Sequence, residues 1–480
     1  MGGGTVVLPS ILAEDLRLDG QAVRFSAEME PLVRLIEDSP REQVIEKVLS
    51  EIHSGRSYRE LLAAMFLAGI RNVQPRPAVG FKFHCVLVVY ATHQASMAAA
   101  DNQRWLPLLW SIDNFKAAQA TDVREGNWTM ARVNESRLPP AEKALAALSL
   151  AMEKWDVEAA DAAAAAAVRV ASRAQLLEVM ARYATRDFRS IGHKAIYVAA
   201  AFRALEVIGW EHAEPIVRSL AYAILNHQGE DNPAQHDYAA DQAGRKNQEL
   251  TQQWTQAWEL GKVDTSIATQ IAQVTQMDSP SAAAQAALRI MQDGYHVRSV
   301  TDGLGLAAAE LVMRQPSIVP LHAVTTTNAI GYLTANVADD LLRKWLTLQN
   351  VSFMAHFAEA AAARGKLADA RLEQLVSDQG PERSVEEIFS DMSGDRIGAA
   401  AAIYRLAQKP ENAHAIVRQA RNLVFLKGND AHDYKFSSAA LEDFELLSPR
   451  WRAHYLAGCS FLFRTSNDKT TPLAERILKA

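Results

Sequence analysis

Only two cysteines, Cys85 and Cys459, occur in 480 residues. A disulfide framework is therefore excluded, and a reducing compartment is the simpler expectation than a single bridge. No CxxC pair is present, so thiolate zinc and iron–sulfur sites are excluded as well. Charge of one sign is equally scarce. Lys and Arg number 50 and Asp and Glu 56, a formal net charge of −6. A nucleic-acid surface needs a basic excess or stripe, so no nucleic-acid partner is expected. No apolar run approaches the roughly 18 residues of a membrane span. The opening MGGGTVVLPS lacks a basic and then apolar leader, and Val6 stands where a myristoylation signal needs Ser or Thr. These absences lead to the expectation of a cytoplasmic protein with no membrane partner. No GxGxxG after a strand, GxxxxGK[ST], GxSxG or HExxH motif occurs, which removes the common nucleotide, hydrolase and zincin readings.

What is present is helical. Apolar residues make up 49% and charged residues 22%, an ordinary globular balance. Val44, Ile45, Val48, Leu49 and Ile52 recur at helical spacing within 43–66. The run AADAAAAAAVRVASRAQLLEVMARY combines the best helix former with side chains small enough for close helix packing. GFKFHCVLVVY has strand-like valines but runs straight into ATHQASMAAA, so the whole piece reads as buried helix. Loops are expected at 72–80, 124–140, 228–246, 277–281, 378–384 and 427–430. The fold class is all-α, with residues 1–80 as an N-terminal helical segment. Residues 81–480 are expected to form a repeat-like helical body, a single unit of helical hairpins around a central pocket.

The repeat is carried by histidine. His84, His193, His296 and His432 open four similar segments. Four residues on stand Val88, Tyr197, Val300 and Phe436, and seven on stand Ala91, Ala200, Gly303 and Ala439. Positions 0, +4 and +7 share one helix face, so each histidine heads a stripe of a bulky and then a small residue. Each segment is followed by a second helix opened by proline, at Pro107, Pro215, Pro316 and Pro449. At matching places in those second helices stand Ile112, Leu220, His322 and His454, with Asp113 one residue further in the first.

Imidazole suits iron, zinc, copper and nickel, and a mononuclear iron site classically joins two histidines to a carboxylate. The candidate ligands are His84, His193, His296, His322, His432 and His454, with Asp433 or Asp113 as carboxylate and Asp187 as a partner for a ligand's second nitrogen. His84 and His93 lie nine residues apart, on opposite helix faces, and should not share a site. Thr325 and Thr326 fall on the face of His322 and are placed to line a polar pocket. Arg186 is suited to clamp a substrate carboxylate, and Tyr197 to orient an organic substrate. Each residue has a bland alternative: satisfied core histidines, threonines bonded back to their own helix, and a structural Arg–Asp pair.

The segments FHCVLVVYATH, GHKAIYVAAAFRALE, LHAVTTTNAIGYL and AHDYKFSSAALEDF resemble the questin oxidase-like family. The resemblance touches His84, His193, the run Leu321-His322-Ala323-Val324-Thr325, and His432-Asp433. It implies an all-helical oxidoreductase that inserts oxygen into aromatic rings. The chain departs from the family pattern in the wide spacing of His84 and His93 and in the GHK at 192–194, which lacks a following proline. On this reading the protein is an iron-dependent monooxygenase acting on a small organic substrate with dioxygen. His193, His322, Thr325 and Arg186 are then the catalytic residues, and NAD(P)H is an external reductant. Two other readings stand beside it: a non-catalytic helical-repeat scaffold, and a metal-free oxygenase with histidine as general base.

Overall fold

The structure is a computed structural model that describes residues 22–76, 81–226, 232–276, 279–377, 380–381, 383–428 and 430–479. The chain is all-α: among the described residues 74% are helical, with 23 α-helices and no strand. Among the described residues, no helix is long and apolar enough to cross a membrane. One hydrophobic core runs from Val23 to Phe463. Val33, Ile36, Leu62 and Phe66 of the N-terminal segment belong to it together with Tyr197, Phe202 and Phe357 of the body. The N-terminal helices are also tied in by charge. Buried Arg71 reaches Glu30 and Glu37, each at 2.7 Å.

Local sequence explains where the helices begin and end. The periodic stretch 43–66 is broken into Arg41–His53 and Tyr58–Asn72, because Ser57 and Glu60 form a capping box that starts a new helix. In the alanine run, Asp156 accepts from the amide of Ala159 and starts Val157–Val170. That helix buries Ala160 and Ala162 through Ala167 against Ala144–Lys154 and Ala213–Leu225. The valine-rich piece is helical as expected, in short turns Phe81–Phe83, His84–Leu87 and Val89–Ala98. The loop expected at 228–246 is shorter. Helix Ala239–Gln253 begins inside it, where Asp241 turns inward to pair with buried Arg189. Parts of four other expected loops, at 77–80, 277–278, 378–379 with 382, and 429, lie outside the described residues.

The second helices are present as Leu106–Glu125, Ala213–Leu225, Ile318–Asn336 and Pro449–Cys459; Pro107, Pro215 and Pro449 lie in the first turn of theirs, while Pro316 precedes its helix. Four helices close a ring that positions the site. Val89–Ala98, with the preceding turn His84–Leu87, packs on His193–Ile208. His193–Ile208 packs on Ile318–Asn336, which packs on Ala431–Leu446, which returns to Val89–Ala98.

Candidate metal centre

Each helix of the ring brings one histidine to the same end. His84 and His193 are the first residues of their helices, His432 is the second residue of its helix, and His322 lies in the second turn of Ile318–Asn336. His193 owes its place to Gly192, whose φ of +82° turns the chain sharply into the helix. A side chain there is excluded twice over, since a Cβ at position 192 would meet Thr326 Oγ1 at 2.0 Å. His84 is anchored from behind by Lys82, whose ammonium pairs with Asp122 at 2.9 Å and Glu125 at 2.8 Å.

The three rings of His84, His193 and His322 are buried and turned nitrogen to nitrogen. His84 Nε2 lies 3.1 Å from His193 Nε2, and His322 Nε2 lies 3.2 Å from His193 Nε2. All three ligand atoms lie within 4.8 Å of one another. His432 closes the group, its ring centre 4.5 Å from that of His84 and 5.3 Å from that of His322.

The tautomers follow from the outer nitrogens. His193 Nδ1 is 2.8 Å from the carbonyl of Ser190, and His322 Nδ1 is 2.7 Å from the carbonyl of Ile318. A carbonyl only accepts, so both Nδ1 atoms carry the proton and donate it. Both Nε2 atoms are then bare lone pairs, facing each other at 3.2 Å. Two lone pairs at that distance repel unless a positive centre, or the Nε2–H of His84 at 3.1 Å from His193 Nε2, lies between them. A proton does not serve at neutral pH. Burial, with the positive charge of Lys435 adding, pushes His193 down to about 3. Burial likewise holds His84 and His322 well below the usual imidazole range. A metal ion fits. Bonds of about 2.0–2.1 Å set two ligand nitrogens roughly 2.9–3.4 Å apart, for angles between octahedral and tetrahedral.

Lys435 completes the surroundings. It is 4% exposed, its Nζ has no hydrogen-bond partner among the described residues, and burial pushes its ammonium down to about 7. Along the chain from the histidines, the facing sides of these helices line a half-open recess of about 40 Å³. Counting from each histidine, its walls are the +3 residues Leu87, Ile196, Thr325 and Lys435. The +6 residues Tyr90, Ala199, Asn328 and Ser438 and the +7 residues Ala91, Ala200, Ala329 and Ala439 complete them. One register therefore holds for four helices that run in the same direction away from the histidines. Further along, Arg203 pairs with Glu442 at 2.8 Å and donates to Asn328 Oδ1 at 3.0 Å, which ties three of the four helices together.

The fourth member of the repeat is the His322 helix, not the His296 helix. His296 is the N-cap of Val297–Arg314, where its Nδ1 accepts from the amide of Arg298 at 2.9 Å. Its ring is spent on the helix end. His454 also lies apart, packed between Trp451 and Tyr404. Among the described residues, no carboxylate joins the three-histidine group. Asp113 is engaged by Arg41 through two bonds of 2.8 and 2.6 Å, and Asp433 by Arg464. Asp187 pairs with buried Lys194 at 2.9 Å, so the backing of the ligands falls to the Ser190 and Ile318 carbonyls instead. Arg186 stacks over Trp155 and Tyr183 and meets Glu153 at 3.4 Å. Tyr197 packs edge-on against Phe83 and shares a 2.7 Å bond with Ser219. His93 sits beside Tyr58, away from His84, as its spacing requires.

Thr325 does line the ring's interior, one turn from His322. Thr326 is buried under Gly192 with its hydroxyl unpartnered among the described residues. Lys435 escaped the sequence reading. The available signal was a lysine at +3, where the other three helices carry Leu87, Ile196 and Thr325.

Comparison with protein-family models, with curated proteins and with solved structures gives no match. The reading of the site rests on its own geometry.

Proposed function

We propose that the protein is a metalloenzyme whose centre is a first-row transition ion held by His84, His193 and His322. The carrying observation is the pair of facing Nε2 lone pairs, each fixed by an Nδ1 proton donated to a carbonyl. Three neutral imidazoles cancel none of the ion's charge, so positions left open favour an anionic or polarisable oxygen ligand. Iron, zinc and copper all accept such a donor set. We assign the chemistry as oxidoreductase, with iron first and dioxygen as oxidant. It acts on a small organic substrate, and an external reductant such as NAD(P)H supplies electrons. The resemblance to the questin oxidase-like family supports this assignment. An iron ion held by these three histidines would supply the redox chemistry. The chain's own part is to hold the ligands, keep bulk water out, and place the Lys435 amine where a proton is given or taken.

The test uses metal-free protein titrated with cobalt(II). Visible bands of an imidazole-bound ion should saturate at one equivalent, and azide should shift them by entering an open position. His322→Ala should show neither. In a separate titration the metal-free protein should take up iron(II) to one equivalent, more weakly than cobalt(II). Protein that binds zinc alone and excludes iron(II) would contradict the oxidoreductase assignment, and absence of any cobalt spectrum would contradict the site.

A further inference from the structure

On the far side of Ile318–Asn336 from the histidine ring lies a separate pocket of about 280 Å³. Its walls are unlike those of the metal centre. Trp258, Val300, Leu304 and Leu447 make it apolar over most of its surface. Two polar residues of its wall offer acceptors to a ligand. Asn350 is 6% exposed and its Nδ2 is turned to the carbonyl of Thr327, which leaves Oδ1 buried without a partner among the described residues. An unpaired buried acceptor costs roughly 1–3 kcal/mol, so it favours an incoming donor. Asp443 is the second acceptor, held in place by donation from Asn328 Nδ2 at 2.7 Å and Tyr455 OH at 3.3 Å. Gly331 opens the floor: a Cβ built there meets nothing within 4 Å. An engineered cavity of roughly 150 Å³ holds benzene, so the space here suits a compact bicyclic body.

We propose that this pocket is a second binding site, independent of the histidine centre, for a compact apolar molecule carrying a hydrogen-bond donor. The donor, a hydroxyl or an ammonium, meets Asn350 Oδ1 and the Asp443 carboxylate, and the hydrocarbon body lies against Trp258 and Leu304.

Borneol, bornylamine and the parent hydrocarbon bornane are the probes, titrated calorimetrically into the full chain with and without prior chelator treatment. Borneol or bornylamine should bind one to one, at least tenfold tighter than bornane, and equally well after chelation. Preference for the alcohol or the amine decides which donor the site takes. Gly331→Leu fills the floor with a residue that helices favour. Thr301→Trp blocks the mouth from an exposed position. Each should weaken binding at least tenfold, and the second variant serves if the first does not fold. Bornane binding as tightly as both donors would overturn the donor assignment. Wild-type affinity in the blocked variants, or no saturable binding of any probe, would overturn the site.

Discussion

His193 and His322 face each other Nε2 to Nε2 at 3.2 Å, while the Nδ1 of each donates to a backbone carbonyl. This relationship fixes two tautomers at once and turns two bare nitrogens toward one place, where a metal ion fits. The expected consequences differ for the ligands, for the glycine behind them, for the small residues of the ring and for a carboxylate further along it.

Replacing a ligand should cost metal without dismantling the fold. His193→Ala and His322→Ala each leave two nitrogens, and loss of bound ion should be near complete. Because an ion that binds only the folded chain stabilises by mass action, both variants should also lose the rise in melting temperature that added metal gives wild type. A metal-induced rise of equal size in His322→Ala would remove that residue from the ligand set.

Gly192→Ala should be destabilising by about 1–3 kcal/mol from its left-handed backbone alone, with the clash against Thr326 in addition. Thr326→Ala should relieve the clash only in part, since its own Cβ would still stand 2.8 Å from the new one, and it leaves the backbone strain, so the double variant should recover only part of the loss. Chemical denaturation of the three proteins measures this directly. Full recovery would show that the φ of +82° carries no cost.

Close packing around the ring depends on the +7 alanines. Ala329→Leu puts three carbons more into a space of about 40 Å³, and overpacking of this kind costs roughly 1–3 kcal/mol. The variant should lower both stability and metal affinity, because the helices that carry His84, His193 and His432 must move apart. Unchanged metal affinity would mean that the ring and the ligands are not mechanically coupled.

The histidine stripes were legible in the sequence, and three of four first-helix histidines do converge. His296 did not, because its local sequence makes it an N-cap, and capping competes with any use of Nδ1 at a distance. Periodicity does place residues on a face. It does not say which faces meet, so His322 stood as a second-helix residue although its +3, +6 and +7 neighbours share the register of the others. The carboxylates Asp113, Asp187 and Asp433 were taken up by Arg41, Lys194 and Arg464, partners up to 72 positions away in sequence. Such pairings follow from the tertiary packing and leave no mark on spacing. The all-α fold class was open to reading because helix propensity and amphipathic periodicity are local.

Asp443 sets a pH dependence. Loss of hydration, with the charge of Glu442 adding, raises its carboxyl to about 7, against donation from Asn328. The folded chain therefore keeps this proton where the unfolded chain has released it. Its contribution is fully present below pH about 4 and is lost as pH rises through about 7. Asp443→Asn keeps an oxygen to accept from Asn328 and removes the titration. The variant should gain melting temperature relative to wild type at pH 8, by about 1–2 °C, and should not gain at pH 4. An equal gain at both pH values would contradict the raised carboxyl.

The most direct measurement is the metal content of the full chain, purified without chelator and compared with His84→Ala, His193→Ala and His322→Ala. X-ray absorption then gives the donor set of the bound ion. The expected result is close to one transition ion per wild-type chain, three imidazole nitrogens at about 2.0–2.1 Å, and loss of the ion in every variant. Wild-type protein that holds no ion and takes up none of iron, zinc, copper or cobalt would contradict the account. The facing lone pairs of His193 and His322 would then have to be held apart by rearrangement of the rings.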